Sequence, residues 1–291
     1  MYKQFNPDHV VVSVSGGKDS AALMQWAVEN FPKDKLVCVH AKIDIDWKET
    51  VPVVEAQCAH FDLPLTIVEA VDKNGGALGF LSILTGVRRD RKTGEEKQNQ
   101  FPDMGNRWCT SRLKVGPIDK FVRSLKGNVL VLIGERREES SQRAKLEAWR
   151  PDENNSKAGR TVVKFSPLLD LTEEQVWDII EVNNIPKHPC YSWGVSRASC
   201  AICIFSSNKE IALAAKHAPE IVAKYVEAEA KIRHTFRYKP ATKTRAEEKL
   251  TIAQILKKEG AAKFRAIGCW VLADLFDRLC AEALEGVKDE T

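Results

Sequence analysis

The chain reads as an α/β protein, a doubly wound parallel sheet followed by a mainly helical C-terminal region. Three observations predict this. Short apolar, β-branched runs alternate with helix-forming segments as far as Phe165, a Gly-Gly turn follows the first run, and helix formers dominate after Asp170. The 291 residues suffice for one large domain or two modest ones, divided here as 1–207 and 208–291. A composition of 44% hydrophobic and 29% charged residues, with 16 Gly and 12 Pro, excludes collagen-like and wholly disordered readings. No apolar stretch approaches the ~20 residues of a membrane span. Met1–Asn6 also lacks a charged-then-apolar leader. A cytoplasmic protein with no membrane partner is expected. The net charge of +4 permits a nucleic-acid or small anionic partner and argues for neither.

The elements follow in order. His9–Val14 reads as a buried strand, and the stretch Ala21–Glu29 behind the glycine turn as a helix. Leu36–His40, Leu65–Val68 and Val129–Ile133 are further strands, with helices at Thr50–Phe61 and Ile118–Leu125 and a fifth strand at Thr161–Phe165. Arg88–Gln100 has no apolar periodicity and is expected to be a solvated loop or flap, with a lid over a site as the functional alternative. Thr172 caps a helix over Glu173–Asn183. Later helices are expected at Asn208–Phe236, broken near Pro219, and at Ile252–Lys258 and Ala261–Leu284.

Ser15-Gly16-Gly17-Lys18-Asp19-Ser20 lies between the first strand and its helix, where doubly wound sheets bind phosphate. Glycines allow a tight turn and close backbone approach, and amides at a helix N-terminus attract an anion. Lys18, Ser15 and Ser20 add charge and hydroxyl donors, and Asp19 is suited to Mg²⁺ or to fixing the loop. The spacing is not that of a Walker loop. It resembles the Ser-Gly-Gly-x-Asp-Ser signature of PP-loop ATP pyrophosphatases and of the phosphoadenylyl-sulfate (PAPS) reductase family.

The resemblance continues in His40–Thr50, in Arg107–Pro117 with its Cys-x-x-x-x-Lys-Val-x-Pro pattern, and in Gly134–Arg143, which reads Gly-x-Arg-x-x-Glu-Ser-x-x-Arg. It reaches Pro167–Asp170, Trp177 and Ile185–Tyr191, so that it covers roughly residues 8–207. It implies an adenine nucleotide alpha-hydrolase-like, Rossmann-like fold. It also implies a nucleotide site drawn from Ser15, Gly16, Gly17, Lys18, Asp19, Ser20, Asp44, Lys114, Gly134, Arg136, Glu139 and Ser140. Loops after the first, second and fourth strands open at one edge of a parallel sheet, where Lys114, Arg136 and Arg143 can neutralise phosphates or a transferred oxyanion. Lys18, Asp19, Arg136 and Arg143 are the catalytic candidates. Asp44 or Asp46 is left to contact ribose or metal.

Cys200-Ala201-Ile202-Cys203 is a Cys-x-x-Cys pair with Cys190 ten positions upstream. Such thiols serve as ligands of an iron–sulfur cluster or zinc, as a redox pair, or as buried packing. Family members that use adenylyl sulfate (APS) hold a 4Fe–4S cluster with a tandem Cys-Cys and a later Cys-x-x-Cys. Here Trp108-Cys109 keeps half of the tandem, and the resemblance implies a set of Cys109, Cys190, Cys200 and Cys203. The spacing of the last three is similar to that in the ATP pyrophosphatase of DNA phosphorothioation systems. A 4Fe–4S cluster is favoured over zinc. Cys38 and Cys58 read as core, as do Cys269 and Cys280 on one helix face with Trp270, Leu272 and Leu275. Arg278-Leu279-Cys280-Ala281-Glu282 lacks the Glu-Cys-Gly-Leu-His pattern of sulfonucleotide reductases. His188 is read as a nucleotide or cluster contact or as a plain turn residue. His40 ends a strand near the site, and His9, His60, His217 and His234 read as structural or exposed.

The leading expectation is an ATP pyrophosphatase that uses ATP with Mg²⁺ to adenylate a substrate for sulfur transfer. The alternatives are a PAPS or APS reductase that releases sulfite, and a non-catalytic nucleotide or cluster sensor in a complex. Expected partners are an adenine nucleotide, a nucleic acid met by Arg88–Lys97 and Lys231–Lys243, a sulfur-donor protein or thioredoxin, and a second copy in a homodimer.

Overall fold

The computed structural model describes residues 2–90, 92–239 and 248–259. The helix expected at Ala261–Leu284, with Cys269 and Cys280, lies outside the described residues, as does the end of the basic segment at Lys243.

A short helix α1 (Tyr2–Phe5) leads into β1 (His9–Ser13), helix α2 (Lys18–Asn30) and β2 (Leu36–Ala41). Helix α3 (Thr50–Phe61) and β3 (Leu65–Val68) follow, then α4 (Phe80–Leu84), β4 (Val87–Arg89) and β5 (Glu96–Gln98). Next come α5 (Gly116–Ser124), β6 (Gly127–Leu132), β7 (Trp149–Pro151), β8 (Arg160–Phe165) and α6 (Glu173–Val182). The last described elements are α7 (Asn208–His217), α8 (Pro219–Ile232), β9 (Arg237–Lys239), β10 (Glu248–Leu250) and α9 (Ile252–Lys258). No helix among them is long and apolar enough to cross a membrane.

Two compact units divide these elements. The first takes Met1–Ile43, Lys48–Ala77 and Cys109–Ser199; the second takes Asp44–Trp47, Leu78–Trp108 and the described residues from Cys200 onward.

The first unit is the doubly wound α/β fold. Its sheet has the order β3-β2-β1-β6-β8-β7, parallel except for the pair of β7 with β8. Alternation along β1 sorts the core into two layers. Val10 and Val12 pack with Leu23 and Met24 of α2, Cys58 of α3 and Ile180 of α6, while Val11 faces Val122 of α5 with Val129 and Val131 of β6. Each such buried aliphatic side chain contributes roughly 1.5–3 kcal/mol. The chain winds from β1 to β2 and β3 on one side, then returns to place β6 on the other. The topological switch point therefore lies between the carboxyl ends of β1 and β6.

In the second unit α8 supplies the buried Tyr225, whose ring stacks on Phe80 of α4 at 5.3 Å between centroids. Glu229, also on α8, accepts the amides of Phe236 (2.6 Å) and Ile252 (2.8 Å), tying the turn that leads into β9 and the start of α9 to one carboxylate.

Three expectations need correction. Arg88–Gln100 is not an unstructured loop, because β4 and β5 pair as an antiparallel hairpin with Arg88 opposite Lys97. A hairpin with both faces wet needs no apolar period; this one is held at its turn by Asp90, which accepts the Lys92 and Thr93 amides and the Lys97 ammonium. These bonds keep its carboxyl below the usual range, the one to Lys97 foremost. The helix expected to reach Phe236 ends at Ile232, where Arg233 turns left-handed at φ 51°. The N-terminus of α2 lies at Lys18, three residues before Ala21, so the lysine that follows the Gly-Gly turn is already helical.

Candidate functional site

The Ser-Gly-Gly-Lys-Asp-Ser segment turns from β1 into α2 at the switch point. Gly16 has φ +76°, a conformation that strains any L side chain, and Gln57 Nε2 braces its carbonyl at 3.4 Å. The Ser15 amide donates to Ser20 Oγ (3.1 Å), and Ser20 Oγ donates to the Gly17 carbonyl (2.9 Å). Gly17 heads α2 without a side-chain cap. Hydroxyls of other residues take the amides there: Ser15 Oγ accepts from Gly17 at 3.4 Å and Tyr191 Oη from Lys18 at 2.8 Å. Burial pushes the Tyr191 phenol above its ordinary range, so it stays protonated while accepting from Lys18 and, at 3.4 Å, from Ala198.

Two buried cations flank this turn. Lys18, 3% exposed, donates through Nζ to the Ser196 carbonyl (3.1 Å) and pairs with Glu173 at 3.4 Å. Arg136, 2% exposed, meets Asp19 through Nε at 2.5 Å, Glu173 at 3.8 Å and also Glu138. The loop after β6 comes this close because residue 134 is glycine: a Cβ there would stand 2.9 Å from the Asp19 carbonyl oxygen. Beside it, Glu139 accepts the Arg136 amide (2.9 Å) and takes the guanidinium groups of Arg143 and Arg197, the latter at 3.0 Å. Ser140 Oγ accepts the Arg143 amide at 3.2 Å.

The structure thus brings together Ser15, Gly16, Gly17, Lys18, Asp19, Ser20, Gly134, Arg136, Glu139, Ser140 and Arg143. Lys114 is partly buried on a π-helical stretch, Thr110–Val115, ahead of α5. Asp44 belongs to the second unit, where its carboxylate accepts the Phe80 (2.6 Å) and Leu81 (3.3 Å) amides and so caps α4. Asp46 is bridged to Cys200 in the same unit. Sequence reasoning assigned no role to Glu173, Tyr191 or Arg197. An acidic residue in the first turn after a Thr cap is the one local signal, and it marks a helix start rather than an ion pair with Lys18.

His188 is buried behind the loop. Its Nδ1 accepts the Cys190 amide at 3.1 Å and its Nε2 lies 3.3 Å from Thr50 Oγ1, an arrangement for the neutral ring. Burial brings its pKa down to about 4. Cys190 is fully buried next to it, and Cys109 is partly buried 4.0 Å from Thr110 Oγ1, both in the first unit. Cys200 and Cys203 are partly buried in the second unit, and Ser206 Oγ accepts the Cys203 amide at 3.3 Å. Among the described residues no three His, Cys, Asp or Glu side chains gather as a metal site.

Chemically, the site is a nest of amides and buried cations whose charge is balanced by Asp19, Glu138, Glu139 and Glu173. An arriving polyphosphate can take over guanidinium and ammonium partners from these carboxylates, which conserves the pairing that buried charges require.

The model of the phosphoadenosine phosphosulfate reductase domain matches residues 9–274 of the chain. An uncharacterised protein of Methanocaldococcus jannaschii is 27% identical over 215 residues, 74% of this chain and 46% of that one. An uncharacterised 37.8 kDa protein of Escherichia phage 186 is 28% identical over 88% of this chain and 86% of its own length. The adenosine 5'-phosphosulfate reductase of Neisseria meningitidis serogroup A is 34% identical over 97 residues, 33% of this chain and 36% of the reductase. The chain therefore spans about half the archaeal relative (46%) and about a third of the reductase (36%).

Proposed function

The chain belongs to the phosphoadenosine phosphosulfate reductase domain family, and from that premise we propose that it is a PP-loop ATP pyrophosphatase that adenylates an acceptor for sulfur transfer. An acceptor oxygen attacks the α-phosphorus of ATP, a new P–O bond forms, the α–β bond breaks and pyrophosphate leaves with the electron pair. A sulfur nucleophile then displaces AMP from the activated carbon or phosphorus.

The observation that carries this reading is the burial of Lys18 and Arg136 on either side of the Gly16–Gly17 turn, with Asp19 in the first turn of α2 paired to Arg136. Lys18 and Arg136 suit the charge that develops on the β- and γ-phosphates, and Arg143 can join them once Glu139 releases it. Asp19 supplies the oxygen ligand that a Mg²⁺-bound triphosphate calls for. Gly134 keeps the loop after β6 close enough for both loops to serve one nucleotide. The test is anaerobic nucleotide chromatography after mixing the protein with ATP, Mg²⁺ and mixed nucleic acid. AMP and pyrophosphate are expected, and Lys18→Ala abolishes them; intact ATP, or release unchanged in the variant, overturns the reading.

The likeness to an adenosine 5'-phosphosulfate reductase favours one alternative, reduction of APS or PAPS to sulfite with thioredoxin or another thiol partner. Sulfite and the matching nucleotide product in the same assay would establish it.

The proposal includes a 4Fe–4S cluster on Cys109, Cys190, Cys200 and Cys203, whose thiolates are the donor type such a cluster takes; zinc is the alternative. When bound, a cluster supplies a soft iron site for sulfur.

A further inference from the structure

The second unit carries a groove of about 1140 Å³ made of rings and cations. Its floor is apolar. Phe101 is buried there, with its ring 6.0 Å from Tyr225 and edge-on to Phe236 at 5.4 Å. Its rim is different, since Phe205 and Tyr238 are each 46% exposed, and Met104 is 77% exposed. Aromatic rings left in water beside a cavity call for a ligand more than for packing.

Each rim ring is backed by a cation. The Arg107 guanidinium lies 5.3 Å from the Phe205 centroid and the Lys249 ammonium 5.5 Å from that of Tyr238. Arg233 and Arg237 also line the groove. Arg237 donates through Nη2 to the Ser206 carbonyl at 2.6 Å, while its buried Nε has no hydrogen-bond partner among the described residues. The carboxylate in the lining, Asp103, is turned to the amides of Gly105 (2.6 Å) and Asn106 (2.7 Å). The rim is therefore cationic with aromatic faces set among the charges.

We propose that this groove binds a single-stranded nucleic acid, with unpaired bases stacked on Phe205 and Tyr238 and phosphates met by Arg107, Arg233 and Lys249. Stacking accepts any base, and the spaced cations follow a backbone, which is how strands are held without sequence preference. A duplex hides its base faces and has nothing to offer the rings. The inference gives an acceptor class to the reaction proposed above, but binding needs no ATP, so the two fail separately.

The test is fluorescence anisotropy of the full chain, without nucleotide, against labelled oligothymidylate, oligouridylate and a DNA duplex. The single strands bind more tightly than the duplex, and Phe205→Ala and Tyr238→Ala each weaken binding about ten-fold. Lys249→Gln lowers the dependence of log affinity on log salt by ~0.7. Phe205→Leu and Tyr238→Leu keep apolar bulk without the ring, so they show the same loss if stacking is the cause and guard against misfolding of the alanine variants. Lys18→Ala binds the strand normally. No binding, or binding equal for duplex and strand and indifferent to both rings, overturns the proposal.

Discussion

His188 shows what burial of one titratable side chain does. Its Nδ1 accepts a hydrogen bond from the Cys190 amide and the ring is held neutral, with a pKa brought down to about 4 by burial. The unfolded chain titrates near 6.5, so between about 6.5 and about 4 the unfolded state binds more protons than the folded one. The stability gained from the neutral ring is full above 6.5 and declines as pH falls to about 4, by on the order of 2–3 kcal/mol. Urea unfolding at a series of pH values should show this slope in the native chain and lose it in His188→Gln. At this scale the local signature was readable: Ser15 to Ser20 and Gly134 to Arg143 are contiguous motifs, and the structure brings both to the switch point. Glu173 and Tyr191 were not readable as partners of Lys18, because ion pairing across 155 residues and hydrogen bonding across 173 leave no periodic trace in the chain.

Elements meet at Gly134 and at Glu229, and each junction makes a prediction. Gly134→Ala puts a methyl 2.9 Å from backbone at Asp19, where neither the end of β6 nor the first turn of α2 yields cheaply. We expect a loss of roughly 1–3 kcal/mol in unfolding free energy and a larger proportional loss of ATP binding by calorimetry. Glu229 has the opposite pH sign from His188. Burial pushes its carboxyl up to about 7, against the two amides that draw it down. Between about 4.5 and about 7 the folded state holds the extra proton, so stability is full below 4.5 and is lost as pH rises through 7. Glu229→Gln should flatten that part of the profile. Most elements were legible, since α3, β3 and α9 match their expected spans and the capping box of Thr172 with Gln175 is formed. The three-residue strands were not legible. Trp149–Pro151 is too short to show alternation and joins the sheet as an antiparallel edge, a place that tolerates its proline. The β4–β5 hairpin is polar on both faces and gave no period to read.

For the molecule as a whole, the alternation of strands and helices was enough to read the wound sheet, but not the way the two units interleave. Residues 44–47 and 78–108 join the second unit through contacts such as Asp44 with the head of α4 and Phe80 with Tyr225, all distant in sequence. The cluster proposal is tested at this scale too. Anaerobically purified protein should carry about four irons and four acid-labile sulfides per chain, with serine at Cys109, Cys190, Cys200 or Cys203 lowering both. A colourless, iron-free protein overturns the cluster, and stoichiometric zinc in it would support the alternative. The bond from the Lys18 amide to the Tyr191 hydroxyl has a consequence for biosynthesis. The loop's residues leave the ribosome first, but their partner follows 173 residues later. At bacterial and eukaryotic elongation rates that is a wait of about 10–35 seconds. During it, the nascent chain carries the Ser15–Ser20 turn with the Lys18 amide not yet held, so the turn completes its folded hydrogen bonding only when translation of the first unit is nearly done.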